Sequence, residues 1–212
     1  MNKNLISQTY KYVSISFLFA ALGSVVGSLF LLPLFLKMGI IIPLVSFVIE
    51  IGLIFYMSRA LKQGKSNSYL SKILYLFGFV TGLSISPIIS LTLNIAPFIL
   101  FEAIGITALI VGLLSIFAKK TSIDFRPFSQ FLFIALISLI LFSLVGLFFH
   151  NSLYEIIINV VALILFSIYL IVDTQRLVKE ENNPVIIALS LYIDIFNIFI
   201  SVLDLLLNFG RD

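Results

Sequence analysis

The sequence predicts an all-α integral membrane protein, a bundle of seven transmembrane helices with a cytoplasmic N-terminus. Three observations carry that prediction. The residues are 61% hydrophobic and 11% charged, whereas soluble domains carry roughly 25% charged residues. Apolar positions come in continuous runs of about 20 residues or more, the length needed to cross ~30 Å of hydrocarbon at ~1.5 Å per residue. The connections between runs are short and leave no room for a soluble domain or long linker, so residues 1–212 are expected to form a single transmembrane domain.

The first run, residues 12–36, is too long for a signal peptide and lacks a small-residue cleavage site, so it reads as a retained helix. Its Gly23-Ser-Val-Val-Gly27 stretch is a small-xxx-small surface suited to close helix packing. The second run, 38–58, carries Glu50. The third, 70–92, contains Thr81-Gly-Leu-Ser-Ile-Ser-Pro-Ile-Ile-Ser, in which Pro87 removes a backbone donor. A kink or interruption is expected there, either as a flexible, pore-lining element or as a tolerated membrane proline whose freed carbonyls are met by Ser and Thr. The fourth run, 97–118, carries Glu102. The fifth, 127–149, is featureless; the sixth, 153–173, ends on Asp173; the seventh, 185–209, contains Asp194. Strands of a membrane β-barrel alternate apolar and polar residues, and these runs do not alternate.

Eleven of the 13 basic residues fall on one side of the membrane if the N-terminus is cytoplasmic: Lys3 and Lys11, then Arg59, Lys62, Lys65 and Lys72, then Lys119, Lys120 and Arg126, then Arg176 and Lys179. Only Lys37 and Arg211 lie opposite, so the excess of positive charge sets the orientation. The net charge of +3 is accounted for in this way and gives no reason to expect a nucleic-acid partner. Cysteine is absent, which excludes disulfides, thiolate catalysis and Cys-ligated metals.

The acids inside the runs are the chemistry of this chain. An ionised carboxylate in hydrocarbon is costly, so such residues face a cavity or one another and serve function. In the seventh run, Ser190, Asp194, Asn197, Ser201, Asp204 and Asn208 fall within a stripe about 80° wide at ~100° per residue. That stripe is expected to face the protein interior or a water-filled path; hydrogen bonding between helices is the alternative for its Ser and Asn members. In the sixth run, Glu155, Asn159, Tyr169 and Asp173 share a side over about five turns. Asp173 admits three readings: an inward-facing acid, a solvated helix-end residue, or an ion pair with Arg176. Glu50 and Glu102 have no basic residue within helical reach in their own runs.

Several chemistries fail on missing residues. A retinal protein needs a Schiff-base lysine in its last helix, and this one has none. Intramembrane aspartyl proteases place one aspartate in a Gly-x-Gly-Asp context, whereas Leu191 and Ile193 stand before Asp194 here. A zinc hydrolase needs several histidines, and His150 is the only one. No enzyme is expected. Protons and hard cations remain: calcium takes about six to eight oxygen ligands and needs neither Cys nor His. Two carboxylates close together at low dielectric share one proton, which makes such a pair a pH sensor.

Three segments carry a family resemblance: Gly78-Phe-Val-Thr-Gly-Leu-Ser-Ile-Ser-Pro-Ile88 in the third run, Ser167-Ile-Tyr-Leu-Ile-Val-Asp-Thr-Gln175 at the end of the sixth, and Ala188-Leu-Ser-Leu-Tyr-Ile-Asp-Ile-Phe-Asn-Ile-Phe199 in the seventh. Together with the seven-span layout they resemble the Bax inhibitor-1 family, the transmembrane Bax inhibitor motif proteins. The resemblance implies a pH-sensitive calcium leak channel of a bacterial cytoplasmic membrane, with Asp173 and Asp194 as the di-aspartyl sensor. It places Glu50 and Glu102 on the ion path, together with Asn197, Ser201 and Asp204 from the polar stripe. Arg59 is its gating partner for Asp173, with Lys62 in competition, and Asp173, Asp194 and Glu50 are candidate calcium ligands. No permanently bound cofactor is implied; Ca2+ is the transported ion, H+ the regulator, and the lipid bilayer the surroundings. The oligomeric state is left open, a monomer being one option. A proton-coupled calcium exchanger and a non-conducting membrane interaction or stress-protection protein are the other readings.

Overall fold

A computed structural model describes residues 3–39, 41–146, 151–179 and 183–210, with Leu36 described by its backbone alone. His150 and Arg211, and the end of the fifth predicted run at 147–149, lie outside the described residues. Among the described residues 93% are helical and none forms a strand. The helices are α1 (Lys3–Val26), a π-helical turn (Gly27–Leu31), α2 (Leu32–Met38), α3 (Ile41–Lys62), α4 (Asn67–Ile95), α5 (Pro97–Lys120), a 3-10 turn (Arg126–Phe128), α6 (Ser129–Gly146), α7 (Ser152–Lys179) and α8 (Pro184–Phe209). Seven helical stretches are long and apolar enough to cross a membrane, the first running from Lys3 to Phe35 through the π turn. Large side chains such as Phe30, Phe55 and Phe98, 74%, 71% and 78% exposed, cover the outside as lipid contact requires.

The helices form two compact units: residues 3–95 with 183–189, and residues 96–182 with 190–210. In the first unit α1 and α4 run parallel with almost no side chain between them. A Cβ built on Gly23 would collide with the Phe79 carbonyl, and on Gly27 with the Ser86 hydroxyl; from the other side, Gly78 meets the Ser16 carbonyl and Gly82 that of Ala20. The expected surface at Gly23 and Gly27 is therefore real, and Gly78-xxx-Gly82 is its counterpart.

Pro87 does not interrupt α4, which continues to Ile95. A proline leaves the carbonyl four residues back without its N–H donor. Here that carbonyl belongs to Leu83, and the Ser86 hydroxyl donates to it at 2.8 Å. Ser28, in the π turn, donates in turn to the Ser86 carbonyl at 3.3 Å. Helical hydrogen bonding thus passes the proline by side-chain substitution.

In the second unit, the connection between α5 and α6 is held down by one side chain of α7. Gln175, fully buried, accepts from the Phe125 amide through Oε1 at 2.9 Å and donates to the Ile123 carbonyl through Nε2 at 2.8 Å. Gln175→Ala is expected to lose about 1–3 kcal/mol, two hydrogen bonds at about 0.5–1.5 kcal/mol each. Amide hydrogen exchange at Phe125 is the measurement, and unchanged protection there would contradict the expectation.

Candidate functional site

α8 is the most enclosed span: 61% of its most apolar window is buried, against 11–39% for the other six. Its sequence explains this, because a helix carrying a polar stripe cannot turn that stripe to lipid. Asp194 is 3% exposed and Ser201 2%, while Ser190, Asn197, Asp204 and Asn208 are half-buried. Burial of the stripe is thus complete at Asp194 and Ser201 and partial at the other four positions, over 19 residues or about 27 Å of helix.

At one end of the stripe Asp194 meets α7. The Asp194 carboxyl lies within electrostatic reach of the Asp173 carboxyl, and Ser190 stands one turn before Asp194 on the same stripe. Arg176 Nη1 donates to Asp173 Oδ1 at 2.9 Å, an i, i+3 ion pair. Asp173 is 4% exposed, so it is not a solvated helix-end residue; of the readings open at that position, burial and the Arg176 pair both hold. Asp194 Oδ2 and the neighbouring Thr174 hydroxyl are buried with no hydrogen-bond partner among the described residues. Tyr169 lies one turn before Asp173, its ring tilted against Phe166 at 6.2 Å.

Farther along the stripe the polar groups serve the helices. Asn197 Nδ2 donates to the Ile193 carbonyl at 2.8 Å, and Asn208 Nδ2 to the Asp204 carbonyl at 2.9 Å. Ser152, at the start of α7, donates to Asn208 Oδ1 at 3.3 Å, and Glu155 on the next turn lies within electrostatic reach of Asp204. Asn197 thus has its amide satisfied by its own helix rather than by the bond between helices offered as the alternative.

The remaining acids are dispersed. In the first unit, Glu50 on α3 accepts from the Ser84 hydroxyl of α4 at 2.8 Å. Glu102 is exposed on α5, five residues past its start, and joins no other predicted site residue of its unit. Among the described residues no three of His, Asp and Glu come together as a metal could require. Arg59 and Lys62, the cations expected to pair with Asp173, are exposed at the end of α3 in the first unit, and the guanidinium bonded to Asp173 is that of Arg176.

Outside the spans, Asp124 forms a two-point ion pair with Arg126, whose Nη2 reaches Oδ2 at 2.7 Å and Nε reaches Oδ1 at 2.9 Å. The side-chain and backbone hydrogen bonds of Arg126 hold the Asp124 carboxyl well below the usual carboxylate range, with Lys179 adding attraction. A carboxyl depressed in this way stabilises the fold above its unfolded pKa, and the contribution disappears only as pH falls through the lower folded value. Asp124 therefore stays ionised through neutral and mildly acidic pH. Asp124→Asn is expected to leave the pH dependence of any transport in that range unchanged, measured as flux against pH; a displaced profile would place a sensor in this loop.

These features define a multi-span α-helical membrane protein with buried carboxyl groups, Asp173 and Asp194, on its last two spans. Within that class the chain belongs to the Bax inhibitor-1 family: the family described as "Inhibitor of apoptosis-promoting Bax1" matches residues 2–211. An uncharacterized protein of Campylobacter jejuni is 34% identical over 208 residues, 97% of this chain and 88% of that one. An uncharacterized protein of Helicobacter pylori is 30% identical over 205 residues, 96% and 86% of the two chains, and an uncharacterized membrane protein of Vibrio cholerae is 27% identical over 171 residues, 77% and 75%.

The role of Gln175 escapes the sequence reading, whereas Ser86 meets the carbonyl freed by Pro87 as one of the two readings there expects. An uncharged amide following Asp173-Thr174 was the one signal for Gln175, since a buried Gln must find partners for both ends of its amide.

Proposed function

We propose that this protein is a pH-sensitive calcium leak channel of a bacterial cytoplasmic membrane, gated by proton sharing between Asp173 and Asp194. The observation that supports this reading is the burial of two carboxyl groups within electrostatic reach of each other, Asp173 at 4% and Asp194 at 3% exposed. Two carboxyls bond to each other only when one of them carries a proton. Asp173 already accepts from Arg176, which leaves the shared proton on Asp194. Loss of that proton leaves repulsion between like charges at low dielectric, which pushes α7 and α8 apart. The inward stripe from Asp194 through Ser201 to Asp204 supplies oxygen ligands along α8 for a hard cation in transit.

The test is calcium flux from sealed liposomes holding the purified protein, recorded across the neutral-to-acid range together with internal pH. A pH-dependent calcium leak without coupled proton movement is the expected result. No calcium flux at any pH overturns the channel reading, and calcium-driven proton movement replaces it with exchange.

A further inference from the structure

Some cations of this chain lie beside an acid and others do not. In the second unit Arg126 pairs with Asp124, Arg176 with Asp173, and Lys179 lies within electrostatic reach of Asp124. In the first unit, the turn joining α3 and α4 carries Arg59, Lys62, Lys65 and Lys72, and no Asp or Glu occurs anywhere in residues 51–101. All four are exposed. The chain supplies these charges with no nearby acid in sequence.

The turn is ordered. Gly64, at φ +70°, closes α3, and the Lys65 amide donates back to the Ala60 carbonyl at 3.1 Å. Tyr56 of α3 and Tyr69 of α4 hydrogen-bond to each other through their hydroxyls, joining the two helices at this end. Lys65 Nζ stands 5.8 Å from the centre of the Tyr69 ring, a cation–π contact that holds the ammonium beside the hydroxyl pair. Lys72 is one turn on from Tyr69 and shares its face with Leu76, which is 49% exposed. A lysine on a lipid-facing side extends its charge toward the headgroup layer and leaves its stem in the hydrocarbon.

We propose that the α3–α4 turn is a binding site for the phosphate of an anionic phospholipid, held by Lys65 and Lys72 beside the Tyr56–Tyr69 hydroxyl pair. The occupant follows from complementarity. The ligand must be anionic because the turn has only positive charge, and it must have an acyl body because Lys72 and Leu76 share the lipid-facing side. Basic residues at a membrane surface attract anionic lipid at about 1 kcal/mol each, so each lysine is worth roughly a fivefold preference. The inference stands whether or not the chain conducts calcium.

The test is native mass spectrometry of the full chain released from nanodiscs of mixed phosphatidylglycerol and phosphatidylcholine. The wild type is expected to retain phosphatidylglycerol, and Lys65→Gln/Lys72→Gln to lower that preference roughly 25-fold. Lys65→Arg/Lys72→Arg is expected to restore it, and Lys119→Gln/Lys120→Gln, which removes the same charge from the end of α5, to leave it in place. Equal loss in the two glutamine pairs shows a general charge effect and overturns the site. Inorganic phosphate bound calorimetrically by the protein in neutral detergent, and lost in Lys65→Gln/Lys72→Gln, assigns the turn to a soluble phosphate and overturns the lipid.

Discussion

In sealed liposomes the Asp194→Asn protein is expected to release calcium at a single rate across the neutral-to-acid range, equal to the rate the wild type reaches at its acid limit. Asn has the shape of a protonated Asp and carries a donor that never leaves. Its Nδ2 takes the place of the Asp194 proton on Asp173, which also holds Arg176 at 2.9 Å. The pair then cannot reach the repelling state, whatever the pH. Asp173→Asn is a different perturbation, because it removes the carboxylate from an arginine that has only a half-exposed path to water. Breaking such a pair leaves a cation without its counterion, so that variant is expected to lose stability as well as pH response. The two together separate sensing from structure. A pH profile for Asp194→Asn that overlays the wild type would remove the pair from the gating mechanism, whereas a flat profile in the Asp124→Asn control would place a sensor in the α5–α6 connection instead.

The degree to which this arrangement is legible in the sequence depends on whether the physics is local. Span positions follow from hydropathy, since each run must fill the hydrocarbon with its own residues. Helix ends do not follow from it: α1 begins at Lys3, nine residues before the apolar run, because polar residues that cannot cross a bilayer still continue a helix, and Thr9 is buried there. The inward placement of Asp194 is legible because its polar neighbours repeat with the helical period. Glu102 has no such neighbours, so its sequence does not reveal its burial, and it is exposed on α5. The partner of Glu50 is Ser84, 34 residues away, and those of Gln175 are backbone groups about 50 residues away; contacts of that kind depend on which helices become neighbours. Pro87 is a milder case of the same limit. The removed donor is plain in the sequence, while its replacement by the hydroxyl of the preceding Ser86 depends on a rotamer.

The largest stability loss is expected from enlarging Gly82. A Cβ at this position overlaps the carbonyl oxygen of Ala20 and comes within 2.7–2.8 Å of that residue's backbone carbons. Backbone cannot rotate aside as a side chain can, so α1 and α4 must move apart along their whole glycine-lined contact, giving up the dispersion contacts made at Gly23, Gly27 and Gly78 as well. Overpacking of this kind costs about 1–3 kcal/mol for a single methyl, and Gly82→Leu exceeds that range. Thermal unfolding of the purified protein in detergent measures it: Gly82→Ala lowers the Tm by several degrees, and Gly82→Leu yields little folded protein. The control lies on α5, where Gly105 and Gly112 have no neighbouring atom within 4 Å of a built Cβ. There Gly→Ala removes up to about 1 kcal/mol of helix-propensity penalty and meets nothing, so the Tm is expected to hold or rise. Equal losses at Gly82 and Gly105 would mean that the close approach of α1 and α4 does not limit stability. The ordering matters beyond stability because Gly27, Ser28 and Ser86 join the π turn of α1 to the proline turn of α4. Those are the two places in the first unit where regular helical hydrogen bonding already gives way, so separation of the helices is expected to begin there, with faster amide exchange at residues 27–31 than elsewhere in the first span in Gly82→Ala.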